Sequence, residues 1–342
     1  MRLHSDDHRS HGERSAPLVS IVIPAKDLER FIEPCLRSLQ RQTFHDWEAL
    51  VLVNASTDRT VEKVRSVAEE DPRILLVESR AKGVSAVRNQ GFKLSRGRFL
   101  MFLDGDDWLA PETLASFLDS VAAHPEAGLH VGNYRLVDED GTQWTSSTPT
   151  LPCELTLADL VTLNPIANGG QLLTERSLVE RAGGFPPVHW EDWVLWCRIA
   201  ALKPVAIVET GALLYFRQRQ HSTFRTLASE LSNFEPAIKT IFDDPLVRAA
   251  LQGHDIEALR RRSTAECLWL VGRERFRLGK RAEARSAMLR SLGSHASLKR
   301  AFQVAVVAFA PGLAPRLSPS LRPYDFMGGH GAHQAFSSRR VS

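Results

Sequence analysis

Residues 96–114, RGRFLMFLDGDDWLAPETL, run an apolar stretch, Phe99 to Leu103, straight into Asp104-Gly105-Asp106-Asp107. Three carboxylates at the end of a buried element repel one another, and each is costly to desolvate. Such a cluster is either fully solvated or neutralised by a counter-ion. Asp104 and Asp106, one residue apart at a strand end, suit a hard divalent cation such as Mg²⁺ or Mn²⁺. Such ions take oxygen ligands, and Mg²⁺ typically uses one or two carboxylates alongside substrate phosphates. Gly105 between them lets the backbone approach closely. Asp107 reads as a helix-start carboxylate ahead of WLAPETL. A second acidic pair, Glu191-Asp192, opens a helix expected over 189–202. Taken alone, that pair serves the helix dipole.

Alternating elements must position these groups. LVSIVIP (18–24), WEALVLVN (47–54), RILLVES (73–79) and RFLMFLD (98–104) read as strands. Helices are expected between them over 29–42, 60–71 and 84–96, with Phe31, Ile32, Cys35, Leu36 and Leu39 at helical spacing in the first. Strand–helix alternation of this kind specifies an α/β fold, an open, mainly parallel sheet with helices on both faces. Ligands bind such sheets beyond the carboxyl ends of the strands. Four polar or small segments share that rim: Pro24-Ala25-Lys26-Asp27, Asn54 to Asp58, Ser79 to Gly83, and Asp104 to Asp107. A helix over 111–124 follows. Beyond it come a strand–turn–strand around Asp140-Gly141, a short helix and an extended run over 205–218. From about 226 the pattern becomes antiparallel helices, with turns expected at Gly279-Lys280 and Gly293-Ser294.

The 342 residues suffice for one large domain and a smaller one. The boundaries expected are a disordered tail over 1–17, an α/β domain over 18–225, a helical region over 226–325 and a second tail over 326–342. A net charge of +3 is too near balance to argue for nucleic acid. Cys35, Cys153, Cys197 and Cys267 form no CxxC pair, which points to a reducing compartment and away from zinc. No window reaches the ~18–20 apolar residues of a membrane span. A cytoplasmic protein is therefore expected. The basic helix around 298–307, with Lys299 and Arg300 beside apolar residues, leaves peripheral membrane association open.

Six pieces, VSIVIPAKD, QTFHDWEALVLVNASTDRT, GVSAVRNQG, RGRFLMFLDGDDWLAP, RAGGF and HWEDWVLWCRI, lie in order over about 18–200. In order and spacing they resemble the inverting glycosyltransferases of family 2, which have the GT-A fold. The resemblance implies transfer of a sugar from a nucleotide-diphosphate donor to a hydroxyl acceptor. A divalent cation, Mg²⁺ or Mn²⁺, would stabilise the departing diphosphate as a Lewis acid. It implies Asp106 as metal ligand, with Asp104 facing the ribose or a metal-bound water. It makes Asp192 the general base that accepts the acceptor's hydroxyl proton, with Glu191 beside it in the donor site. The acceptor would be a glycan, a lipid-linked sugar or another hydroxyl compound.

The chain departs from the family in the nucleoside pocket. Where members carry two consecutive aspartates, Val53-Asn54 stands here. Asn54 can accept a base N–H through its carbonyl oxygen, and its amide can donate to a base carbonyl. This favours a uracil or thymine nucleotide over guanine. Pro24, Ala25 and Lys26 occupy the family's Pro-Thr-aromatic position, Lys26 lying over the base, reaching a phosphate or standing in solvent. Arg88 faces either the diphosphate or a strand-end aspartate. Arg219 stands where members often carry a metal-reaching His, and His221 lies two residues further on; Arg219 would bind diphosphate and His221 metal. The substitutions at Val53, Asn54 and Lys26 also motivate a different class, a catalytically silent nucleotide-binding or scaffold module. A processive synthase would need membrane spans and a Gln-x-x-Arg-Trp motif, which the sequence lacks.

Overall fold

The computed structural model describes residues 16–142, 151–219, 223–295 and 298–311. The expected tails therefore fall almost wholly outside the described residues, as do His221 and the strand anticipated after Asp140-Gly141. The α/β alternation appears as β1 (Val19–Ala25), α1 (Ile32–Gln40), β2 (Trp47–Asn54), α2 (Thr60–Glu70), β3 (Ile74–Ser79), α3 (Val84–Leu94) and β4 (Phe99–Phe102). Then come β5 (Trp108–Leu109), α4 (Thr113–Ala123), β6 (Leu129–Val137), α5 (Leu157–Leu160), β7 (Leu172–Glu175), α6 (Arg176–Arg181), α7 (Glu191–Leu202) and β8 (Val205–Arg217). Six helices close the described chain: α8 (Thr223–Ala228), α9 (Glu235–Asp243), α10 (Pro245–Ala250), α11 (Ile256–Arg277), α12 (Arg281–Ser294) and α13 (Leu298–Phe309). Gly293 lies inside α12 and not at a turn.

The strands form one sheet in the order β3-β2-β1-β4-β7-β6-β8-β5. The β3-β2-β1-β4 half is parallel; beyond β4 the sheet is mixed, β7 running antiparallel to both β4 and β6. Side chains alternate between the two faces, as the period of two demands. Ile21, Ile23, Met101 and Leu103 enter the core shared with α1 and α2, while Val22, Leu100 and Phe102 enter the core beneath α3 and α7. Gly91 lets α3 lie close, since a Cβ there would stand 2.4 Å from Val22 Cγ1.

The second core is continuous with the C-terminal helices. Phe234, Ile238 and Ile241 of the α9 region and Cys267, Leu270 and Val271 of α11 belong to the same buried cluster as Trp193, Leu195 and Trp196 of α7. Among the described residues a small satellite core, built from Trp269, Met288, Val304, Val306 and Val307, lies apart under α12 and α13. The helix that carries Asp192 is thus clamped from the C-terminal side.

Candidate active site

The rim segments meet where the parallel strands end. Asp27, at φ 51°, follows β1, and its Oδ1 accepts the Thr57 N–H at 2.7 Å. The Asp27 N–H donates to Ser56 Oγ at 3.1 Å. Leu28 and Glu29 donate their N–H groups to Thr60 Oγ1 and Asp58 Oδ2, so the loops after β1 and β2 are stitched into one wall. Pro24 and Asn54 on this wall are half-buried, Ala25 is buried and Lys26 is exposed. Asn54 donates its amide to the Ala81 carbonyl at 2.6 Å. That bond uses one of the two amide hydrogens and leaves the second hydrogen and the carbonyl oxygen of Asn54 unassigned.

The three crowded aspartates are met by three arginines. Arg88, buried in α3 with 7 % exposure, donates Nη2 to Asp104 Oδ1 at 2.7 Å and Nη1 to Glu191 Oε1 at 2.5 Å. Of the two roles open to Arg88, the aspartate partner is the one present, and one cation ties the end of β4 to the start of α7. Arg219 Nε lies 2.7 Å from Asp106 Oδ2, an ion pair without hydrogen-bond alignment. Asp107 is not a helix-start group. It is buried, accepts the Arg217 N–H at 2.7 Å and an Asn168 side-chain N–H, and precedes β5. Arg217 in turn donates Nε to the Asp106 carbonyl at 2.8 Å, its guanidinium lying 4.9 Å from the Phe31 ring centroid and 4.7 Å from that of Trp108. Asn168 and Arg217 escaped the sequence reading because nothing local links them to the acidic cluster 50 or more residues away.

Burial still outweighs these cations. It raises the Asp106 carboxyl above its ordinary range, with Arg219 opposing and Asp104 reinforcing the rise. Asp107 is pushed well up by burial and by its neighbours Asp106 and Asp104. The Asp192 carboxyl is raised to about 7, first by burial, then by Glu191, with Arg88 pulling the other way and Asp104 adding to the rise. Its Oδ1 accepts the Trp193 N–H at 2.7 Å at the N-terminus of α7. Glu191 itself is 6 % exposed and taken by Arg88, so its carboxylate is a strut within the wall.

Asp106, whose carboxyl stays raised by burial despite Arg219, fits a hard divalent cation, and Asp104 beside it offers further carboxylate oxygens. Among the described residues no group of three or more His, Cys, Asp or Glu side chains could hold a metal by itself. A cation arriving with phosphate oxygens needs only one or two carboxylates. Gly105 does make a close approach, but inward: a Cβ there would stand 2.9 Å from Leu28 Cδ1 and 3.1 Å from Ile32 Cδ1.

Residues 20–183 match the Glycosyl transferase family 2 model. Over 246 residues the chain is 28% identical to the UDP-Glc:alpha-D-GlcNAc-diphosphoundecaprenol beta-1,3-glucosyltransferase WfgD of Escherichia coli, covering 68% of this chain and 89% of that protein. Other curated relatives are matched over less, the alignments covering 27% and 36% of their lengths. Among solved structures, S. aureus TarS 1-349 with UDP-GlcNAc superposes at TM-score 0.58 and 19% identity over 94% of this chain and 91% of that one. The mannosyltransferase PcManGT of Pyrobaculum calidifontis, in complex with GDP-Man and Mn2+, superposes at 0.60 and 20% identity over 95% and 89%. The fold is therefore that of GT-A glycosyltransferases, and over residues 20–183 the chain matches glycosyl transferase family 2.

Proposed function

We propose that this chain is an inverting glycosyltransferase of glycan or polysaccharide biosynthesis. It would transfer a sugar from a UDP- or dTDP-linked donor to a hydroxyl acceptor. The observation that carries the reading is the Arg88 bridge, which sets Asp192 within electrostatic reach of Asp104. A base must face the donor sugar from the side opposite the leaving diphosphate, and an acidic group at the start of α7, linked through Arg88 to the aspartates after β4, supports that reading. Asp192, held near pH 7, accepts the acceptor's hydroxyl proton. Asp106, with Asp104, would hold Mg²⁺ or Mn²⁺, which supplies Lewis-acid stabilisation of the leaving diphosphate. Arg219, ion-paired with Asp106 in the absence of donor, would face the diphosphate. The Asn54 carbonyl oxygen accepts a uracil or thymine N3–H, its side chain held in place by the bond from its amide to the Ala81 carbonyl.

A screen of UDP-, dTDP- and GDP-sugars with Mn²⁺ or Mg²⁺, run beside Asp106→Ala, tests the reading. UDP or dTDP release from the wild type is expected, with metal-dependent UDP affinity at least about tenfold weaker in Asp106→Ala. Metal-independent UDP binding, or none, would instead favour the silent module.

The acceptor is proposed to be lipid-linked, in keeping with the diphosphoundecaprenol in the relative's name. No helix among the described residues is long and apolar enough to cross a membrane. Contact with an anionic lipid surface would come through α13, where Leu298, Phe302 and Phe309 share one outer face at 93%, 53% and 89% exposure. Exposed Arg281, Arg285 and Arg290 on neighbouring α12 supply matching charge. Phe302→Ser with Phe309→Ser is expected to lower co-sedimentation with phosphatidylglycerol vesicles about tenfold without lowering the melting temperature. Unchanged sedimentation would remove this face from membrane contact.

A further inference from the structure

The residue just before the acidic pair is backbone-strained. Trp190 adopts φ 63° and ψ 35°, a left-handed conformation that bulky side chains rarely take, at the N-cap of α7. No side chain caps that helix end. Strain of this sort persists only where surrounding structure over-determines it, and it gathers at functional sites. Here the over-determining contact is aromatic. The indole lies flat on Phe234, with ring centroids 4.4 Å apart and an interplanar angle of 7°, and meets Phe224 edge-on at 4.9 Å. Phe234 is buried at the start of α9, which packs on α7. A second tie holds the same helix, Arg198 of α7 pairing with Asp244, the cap of α10, at 2.8 Å.

The Trp190 carbonyl accepts the Val194 N–H, so the orientation of this peptide sets the first turn of α7, in which Glu191 and Asp192 sit. We propose that Trp190 is a positioning residue for sugar transfer: its stack on Phe234 holds the left-handed peptide and thereby sets the Asp192 carboxylate beside Arg88 and Asp104. The C-terminal helices thus govern the reaction without contributing a group to it. This inference rests on the reading of Asp192 as base. The charged groups facing Asp192 are Glu191 beside it, Arg88 from α3 and Asp104 from the end of β4.

The test compares wild type, Trp190→Phe, Trp190→Gly and Phe234→Ala in three readouts. These are UDP release from UDP-glucose and UDP-N-acetylglucosamine with Mn²⁺, calorimetric UDP affinity, and carboxyl NMR titration of Asp192. Trp190→Gly tolerates the backbone but lacks the ring, and is expected to lose about 10–100-fold in kcat while UDP affinity holds. Its Asp192 titration moves away from about 7. Phe234→Ala behaves like Trp190→Gly, and Trp190→Phe, which keeps a stacking ring, recovers most of kcat. Unchanged kcat and Asp192 titration in Trp190→Gly overturns the inference, as does parallel loss of kcat and UDP affinity. If turnover is too slow to follow, the titration alone decides in the same way. Asp192→Asn separates the two readings: normal turnover there sinks the base assignment itself, whereas an inactive Asp192→Asn beside an unaffected Trp190→Gly sinks only the role of Trp190.

Discussion

Asp192→Asn is expected to cut sugar transfer by about 10²–10⁴-fold, the range a positioned general base contributes, while metal-dependent UDP affinity stays near wild type. The amide keeps the shape of the side chain and its acceptor oxygen for the Trp193 N–H, so the first turn of α7 survives. What is lost is the capacity to take a proton from the acceptor hydroxyl. A variant with near-normal turnover would remove Asp192 from the mechanism.

The same residue ties activity to pH. With its carboxyl raised to about 7 by burial and by Glu191, the ionised, proton-accepting form accumulates only as pH passes 7, so kcat should climb through that range. Stability should run the other way. The unfolded chain releases this proton near the ordinary value of about 4, whereas the folded chain holds it until about 7. Stability therefore falls between those two values, and the cost is fully present above 7. Asp192→Asn removes the charge and should melt higher than wild type at pH 8, with the difference vanishing at pH 4. An equal melting temperature at pH 8 would mean the native site stabilises the ionised form more than its burial implies.

The sheet and its flanking helices were legible because each strand up to β4 is a short apolar run bounded by turn residues, and each helix between carries one apolar face. The strand end at Asn54 follows from the same pattern, while β4 closes at Phe102, two residues short of Asp104. The mixed half of the sheet was not legible, because β7 is four residues long and pairs with β4 about 70 positions earlier in the chain. The site divides in the same way. Asp104 and Asp106 announce themselves by residue type and spacing, since carboxylates at the end of an apolar run demand an explanation, whereas Asp192, by itself a helix-dipole group, is singled out only by the family resemblance. Their partners do not. Arg217 and Asn168 reach the acidic cluster only through folding, and Asp107 passed for a helix-start group because its buried partners lie 61 and 110 residues away. Trp190 reads as one more core aromatic until its φ is known.

Arg88→Met should be the most damaging substitution for the fold of the site. The side chain volume is nearly kept, but two carboxylates lose their common cation, one of them in buried Glu191. Removing one partner from a buried ion pair costs about 3–5 kcal/mol, far more than the pair itself contributes, because the stranded charge remains desolvated. Urea unfolding should show that loss at pH 8. Much of it should return in Arg88→Met with Glu191→Gln, where the stranded charge is gone; a double variant no more stable than Arg88→Met would mean that the guanidinium acts by packing against Phe185, 5.6 Å from its ring centroid, and not by charge. The pH profile gives an independent sign. Arg88 lowers the Asp192 carboxyl, so its loss should carry the rising limb of kcat to higher pH. A limb that stays in place would break the electrostatic link between the two acidic stations, even if the variant were as unstable as expected.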